Sequence, residues 1–352
     1  MVTDTDHPKI LIAAAGLFIA YVTVYILAVA DNLLIPLVLA ILIWYLLNTI
    51  DHTLSYIVIR GWRPPRWLRL LVAITGMIVV LNLAAGIVAA NVSKIIQAAP
   101  QYQAQLEEML HHLPFGIEIE EVPALSQLTA EFNIGRLMQR LAREFAGLLG
   151  NIGLISVYLI FLFLEQRYFG PKLASAFSGD ERRKQWISDL FAQIDRDVRR
   201  YIGIKTLLSF ATALGSWIVM RLVGLDFAGF WALLIFVLNF IPNLGSIAAT
   251  IIPTILALIQ FDVYLPFIIV LFGVGGLQFV IGNLLDPALM GKSLNVSPLL
   301  IIFSLVFWGM IWGLPGLFLC VPITVIMMIV LYNIKGTRWI AMMMSRDGQF
   351  KI

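Results

Sequence analysis

Residues 227–260 form the apolar stretch FAGFWALLIFVLNFIPNLGSIAATIIPTILALIQ. It contains no charged side chain in 34 residues, and Pro242, Asn243 and Gly245 interrupt it near its middle. A continuous helix of this length would measure about 51 Å, whereas the hydrocarbon core of a bilayer is about 30 Å thick. The simplest structure is therefore a re-entrant helical hairpin, in which two half-helices meet at a tip near the middle of the membrane.

A second interrupted stretch, residues 299–332, has the same length and breaks at the sequence GLPG, residues 313–316. An uninterrupted apolar span precedes each stretch, at 206–223 and at 264–285. If neither hairpin crosses the membrane, the two units are inverted repeats, an arrangement typical of secondary transporters. The alternative is that each stretch is a single long, kinked span. Both arrangements leave the C-terminus on the same side, so charge does not choose between them.

The composition excludes an ordinary soluble protein. Hydrophobic residues make up 60% of the 352 residues, charged residues make up 13%, and the mean hydropathy is +0.91. A soluble domain is about 45–50% apolar and about 25% charged. The single cysteine excludes an intramolecular disulfide. The chain is therefore predicted to be a polytopic membrane protein.

The first half of the chain adds four apolar spans, at 10–30, 33–50, 68–92 and 147–164. The predicted fold is all-α, with about six full transmembrane helices and two re-entrant hairpins, or eight hydrophobic segments. Basic residues are in excess in 51–69, 165–205 and the tail, which the positive-inside rule places in the cytoplasm. Both termini are then cytoplasmic, and the acidic segment 94–146 is external.

Two polar segments are predicted to be helical. Residues 94–146 have apolar residues at helical spacing and are expected to form a small external helical segment. Residues 181–203 form an amphipathic pattern that would lie on the inner leaflet or pack against another helix. A cluster of Arg196, Arg199 and Arg200 favours the leaflet. The predicted organisation is N-terminal transmembrane helices (1–93), the external segment (94–146), a transmembrane helix with the amphipathic helix (147–205), the hairpin region (206–332) and a cytoplasmic tail (333–352).

Uncommon polar side chains surround the breaks and form the candidate site. Polar residues at membrane depth are candidates for binding, although asparagine and serine also cap helices. No zinc-binding, nucleophile-elbow or phosphate-loop motif is present, so an enzyme is not expected. The candidate substrate-binding residues are Asn239, Pro242, Asn243, Gly245, Ser246, Asn283, Asp286, Gly313, Pro315 and Gly316.

Three motifs together resemble the autoinducer-2 exporter family of bacterial membrane proteins. They are FIPNLGS at 240–246, GNLLDP at 282–287 and GLPG at 313–316. The resemblance is densest over residues 195–332 and depends on hydropathy and loop placement in the first half.

This resemblance implies export of autoinducer-2, a small polar dihydroxypentanedione derivative, across the bacterial inner membrane. It also implies a substrate site formed by two helical hairpins, an elevator-like movement of those hairpins and a homo-oligomer, with a pentamer suggested. No cofactor and no nucleic-acid partner is expected. Some members of the family are associated with sodium/proton exchange, which is the alternative function. An antiporter needs an ion-binding carboxylate in the membrane, and Asp286 is the candidate.

Overall fold

The computed structural model describes residues 7–55, 64–111, 134–176, 181–261, 263–290, 295–334 and 336–348. Nearly all of them are helical, and their β-structure is limited to one isolated bridge between Val296 and Ser345. The helices are α1 (His7–Val29), α2 (Asp31–Ser55), α3 (Arg66–His111), α4 (Ile134–Gly150), α5 (Ile152–Ala176), α6 (Glu181–Val223), α7 (Ala228–Leu238), α8 (Leu244–Gln260), α9 (Tyr264–Val280), a π-helical turn (Ile281–Leu285), α10 (Asp286–Met290), α11 (Pro298–Asn333) and α12 (Arg338–Met344).

Six helices of the described chain are long and apolar enough to cross a membrane. They confirm the prediction of an all-α, multi-pass membrane protein. The set differs from the six predicted full spans at one member. By length and composition alone it includes α11, one of the two interrupted stretches, which consists of two helical arms joined at Gly313. Helix α1, a 23-residue apolar helix, is not in the set.

Two helices are longer than the sequence pattern predicted. Helix α3 has 46 residues and joins the predicted span 68–92 to the start of the segment 94–146. Helix α6 has 43 residues and joins the amphipathic segment 181–203 to the span 206–223. Residues 200–206 include no proline and only one glycine, so nothing in the local sequence ends the helix there. The fourth span also shifts, because a turn at Asn151 separates α4 from α5.

The segment 94–146 is helical on both sides of residues 112–133, which lie outside the described residues. Helix α4 packs along the end of α3, where Met138 and Ala142 are buried in the same core as Tyr102. The amphipathic stripe of α6 is partly covered by protein. Val198 is buried, whereas Trp186 remains 40% exposed.

The first interrupted stretch folds back on itself. The Gln260 Nε2 atom donates to the Gly224 carbonyl oxygen at 3.0 Å, and Gln260 Oε1 accepts from the Asp226 backbone N–H at 2.8 Å. A continuous helix would place residues 34 apart at a separation of about 51 Å. The start of α7 and the end of α8 therefore lie side by side, and the break between the two helices lies at the other end of the pair.

The second stretch also folds back, at Gly313. This glycine has φ 60° and ψ −136°, which no helix contains. The Ser304 hydroxyl donates to the Cys320 carbonyl oxygen at 3.1 Å and also bonds to the Thr324 hydroxyl. Residues 304 and 320 would lie about 24 Å apart in a continuous helix. The two arms of α11 therefore lie antiparallel, with Gly313 at the turn between them.

Candidate functional site

A cavity of about 160 Å³ lies between α6, the break between α7 and α8, and the end of α9. Six of the ten candidate residues line it: Asn239, Pro242, Asn243, Ser246, Asn283 and Asp286. The other lining residues are Lys205, Leu208, Ser209, Thr212, Ile241, Gln278, Ile281 and Gly282.

The break between α7 and α8 is a tight turn that its sequence requires. Asn243 has φ 57° and ψ −57°, a backbone conformation that non-glycine residues rarely adopt. Gly245 follows because a Cβ atom there would lie 1.8 Å from the Leu238 carbonyl oxygen. The Ser246 hydroxyl donates to the Asn243 carbonyl oxygen at 2.9 Å. Gly245 therefore shapes the turn without lining the cavity, and the turn carries Asn243 and Ser246 to its wall.

The opposite wall includes the π-helical turn at Ile281–Leu285. Such turns are rare and frequently occur at functional sites. Asn283 lies within it and donates from Nδ2 to the Phe279 carbonyl oxygen at 3.2 Å. Asp286 follows the turn directly. This local widening of the helix brings both residues to the cavity wall.

Four polar lining residues were not among the candidates. Lys205, Ser209 and Thr212 recur at intervals of four and three residues, so they share one face of α6. Gln278 lies two helical turns before Asp286. The signal that identifies them is this spacing of polar residues within a span that is otherwise apolar.

An ion pair crosses the cavity between the two walls. Lys205 Nζ lies 2.7 Å from Asp286 Oδ2, and the two side chains are 15% and 19% exposed. These are the two charged residues among those that line the cavity. The lining is therefore formally neutral, and the Asp286 carboxylate already has a cationic partner.

The remaining lining offers hydrogen bonds to a guest. The Ser209 hydroxyl and the Gln278 Nε2 atom are buried without a partner among the described residues. Buried polar groups without partners are uncommon in proteins, and a bound polar molecule is one way of satisfying them. The asparagine amides of the lining can both donate and accept. The arrangement suits a small, uncharged solute with several hydroxyl or carbonyl groups.

The tip of the second fold-back lies elsewhere. Trp312 donates from Nε1 to the Leu27 carbonyl oxygen at 2.9 Å, which fastens this tip to the end of α1. Pro315 lines a different and larger cavity, and a Cβ atom on Gly316 would lie 1.8 Å from the Trp308 carbonyl oxygen. Gly313 lines neither cavity. The structure therefore does not bring Gly313, Pro315 and Gly316 together with the other candidates.

Comparison with known proteins gives a consistent assignment. "AI-2 transport protein TqsA" of Escherichia coli K12 is 28% identical over 325 residues, covering 90% of each chain. "Putative transport protein YhhT" of the same strain is 28% identical over 348 residues, covering 97% of this chain and 95% of the relative. A "Putative transport protein" of Borreliella burgdorferi is 32% identical over 250 residues, covering 70% and 67%.

The family model described as AI-2E family transporter matches residues 10–336, which include every helix that lines the polar cavity. The match confirms the family resemblance that the three motifs indicated and extends it over nearly the whole chain. This chain belongs to the AI-2E transporter family.

Proposed function

We propose that this chain exports autoinducer-2 across the bacterial inner membrane and binds it in the polar cavity between α6, the α7–α8 break and α9. The observation that carries the proposal is the chemistry of that cavity. Its lining is rich in amides and hydroxyls, and its two charges neutralise each other. A neutral, hydroxylated solute can pair with such groups without leaving a charge buried.

The size of the cavity supports a small cargo. A volume of about 160 Å³ is below the range of about 300–1,000 Å³ that is common for sites of drug-sized ligands. Autoinducer-2 carries several oxygen atoms on a short carbon skeleton. The name of the TqsA relative supports the same cargo, since that protein is called an AI-2 transport protein.

For the mechanism, we propose that the two folded-back segments enter the membrane as re-entrant hairpins and move together against the remaining spans. The backbone groups freed at a hairpin tip are tolerated in a membrane only inside protein or at a wet cavity, which the first tip satisfies. Both termini would be cytoplasmic and the chain would form a homo-oligomer, which the family resemblance suggests is a pentamer.

The antiporter alternative is less favoured by the same geometry. It needs a carboxylate that is open to a sodium ion or a proton, and Asp286 is the one carboxylate of the cavity lining. That carboxylate is 2.7 Å from the Lys205 ammonium. A sodium ion would have to displace this cation before it could bind.

The test is efflux of autoinducer-2 from loaded liposomes that contain the purified protein, comparing wild type with Asn243→Ala. The matched control is Asn82→Ala, because Asn82 lies on α3 away from the cavity and its Nδ2 atom bonds within its own helix. A protonophore arm reports coupling to the proton gradient.

We expect protein-dependent efflux that falls at least tenfold in Asn243→Ala and stays normal in Asn82→Ala. Absence of protein-dependent efflux would reject autoinducer-2 as cargo. Equal efflux by wild type and Asn243→Ala would reject the cavity as its binding site. Sodium flux that requires Asp286 would favour the antiporter instead.

A further inference from the structure

A second cavity, of about 670 Å³, lies at the opposite end of the hairpin region. It is an open cleft bordered by the start of α2, the polar face of α4 and the tip of α11. Its charged lining residues are Arg136, Arg140, Arg143, Asp31 and Glu144. The other lining residues are Asn32, Ile35, Pro36, Gln139, Gly147, Asn151, Trp312 and Pro315.

The three arginines share one face of α4, because residues four and three apart are neighbours on a helix. The opposite face of α4 is fixed against α3, where Met138 and Ala142 are 1% and 0% exposed. The packing of α4 therefore holds the guanidinium groups at the cavity wall. Clustered like charges repel one another, so the arrangement favours a bound anion.

The cavity lies at the level where apolar helices end. Helix α1 ends at Val29, α2 begins at Asp31, and α5 begins at Ile152, one residue after the lining residue Asn151. Polar and charged residues at the ends of apolar helices mark the boundary between the hydrocarbon core and water. Phospholipid phosphates occupy that boundary.

We propose that this arginine-lined cavity binds a phosphate group, as in the head group of an anionic phospholipid. Guanidinium groups match phosphate oxygens in a bidentate geometry. The three arginines and two carboxylates of the lining leave an excess of one positive charge, which equals the single negative charge of a phosphodiester. One carboxylate, Asp31, already accepts a hydrogen bond from the Asn32 backbone N–H at 2.6 Å.

A phosphate bound here lies against the tip of the second fold-back. Trp312 and Pro315 belong to that tip and line the same cavity. The ligand would therefore link α4 to the tip of α11 and stabilise the folded protein by RT ln(1 + L/Kd), where L is the free ligand concentration. This site is independent of the cargo proposed for the first cavity.

The experiment measures the melting temperature of the purified full chain in detergent during titration with three ligands. They are short-chain phosphatidylglycerol, inorganic phosphate and short-chain diacylglycerol, which lacks the phosphate. The test variant is Arg140→Ala/Arg143→Ala, and both side chains are exposed enough to be replaced without a core defect. The control is Arg182→Ala, an exposed arginine on α6 that lies outside the cavity.

We expect phosphatidylglycerol to raise the melting temperature of wild type and of Arg182→Ala, and the double variant should need at least a tenfold higher ligand concentration for the same rise. Diacylglycerol should give no shift that depends on the arginines. A response to inorganic phosphate that also requires the arginines would identify free phosphate as a second source of the ligand. No phosphate-dependent shift in wild type, or an equal shift in the double variant, would overturn the proposal.

Discussion

The turn between α7 and α8 can be tested with a single methyl group, by replacing Gly245 with alanine. The new Cβ atom would stand 1.8 Å from the Leu238 carbonyl oxygen and 2.7 Å from its carbon. Real Cβ atoms essentially never approach a neighbour closer than 3.0 Å. The obstructing atoms belong to the backbone, so no side-chain rotation relieves the contact. The two arms must separate by more than 1 Å, and the adjacent Asn243 must move with them.

Overpacking of this kind costs about 1–3 kcal/mol, and a backbone clash places the expected value near 3 kcal/mol. For a chain of 352 residues a fall in the melting temperature of about 4 °C corresponds to this loss. Displacement of Asn243 from the cavity wall should also lower cargo efflux by about tenfold or more. The assays are thermal unfolding of the purified protein and efflux from liposomes at matched protein content.

Gly276→Ala is the matched control. Gly276 lies in helix α9 with nothing within 4 Å of the position of its Cβ atom, so alanine should be neutral or slightly stabilising there. If Gly245→Ala proves as stable and as active as Gly276→Ala, the close approach of the two arms is absent from the working protein. The assignment of the cavity would then be wrong as well.

Three further perturbations have defined outcomes. Lys205→Met and Asp286→Asn should each destabilise the protein by about 3 kcal/mol, because each leaves a mostly buried charge unpaired. The double variant Lys205→Met/Asp286→Leu removes both charges and should recover stability. Equal free energies of unfolding for the two single variants and the double variant would refute the pairing. Asn283→Ala should reduce efflux, whereas Asn82→Ala should not. Each variant loses a hydrogen bond from an asparagine Nδ2 atom to the carbonyl oxygen four residues earlier, so only the position differs. Equal efflux rates of the two variants would exclude Asn283 from the site. Gly313→Ala should lower stability by about 1–3 kcal/mol, because φ 60° and ψ −136° strain any residue with a Cβ atom, and an unchanged melting temperature would contradict the turn.

Much of the fold follows from hydropathy and from two breaks. The interrupted stretches fold back where Pro242, Gly245 and Gly313 stand. Pro242 lacks a backbone donor, Gly245 allows the Leu238 carbonyl to approach closely, and Gly313 adopts φ 60°. The ends of helices α3 and α6 were less predictable. A change from apolar to amphipathic sequence marks where a helix leaves the membrane, but it does not stop the helix.

Only part of the lining of the first cavity was predictable from the sequence. Asn243 and Asn283 are conspicuous because asparagine is rare in apolar stretches. The contributions of Ser209 and Gln278 depend on how α6 and α9 pack against the break, which no local pattern specifies. The pairing of Asp286 with Lys205 links residues 81 positions apart and likewise requires the tertiary structure.

The most direct test of the account asks whether autoinducer-2 occupies the cavity. The chain has one cysteine, Cys320, which is fully buried, so a new cysteine can be labelled selectively by a maleimide. Ser246→Cys introduces a thiol at the cavity wall, and Ser175→Cys introduces one at an exposed position near the end of α5, beyond the apolar part of that helix and outside the cavity.

Autoinducer-2 should slow maleimide labelling of Ser246→Cys severalfold, with a half-effect near the concentration that half-saturates efflux, and should leave Ser175→Cys unaffected. If saturating autoinducer-2 leaves the labelling rate of Ser246→Cys unchanged, the cargo does not bind in this cavity.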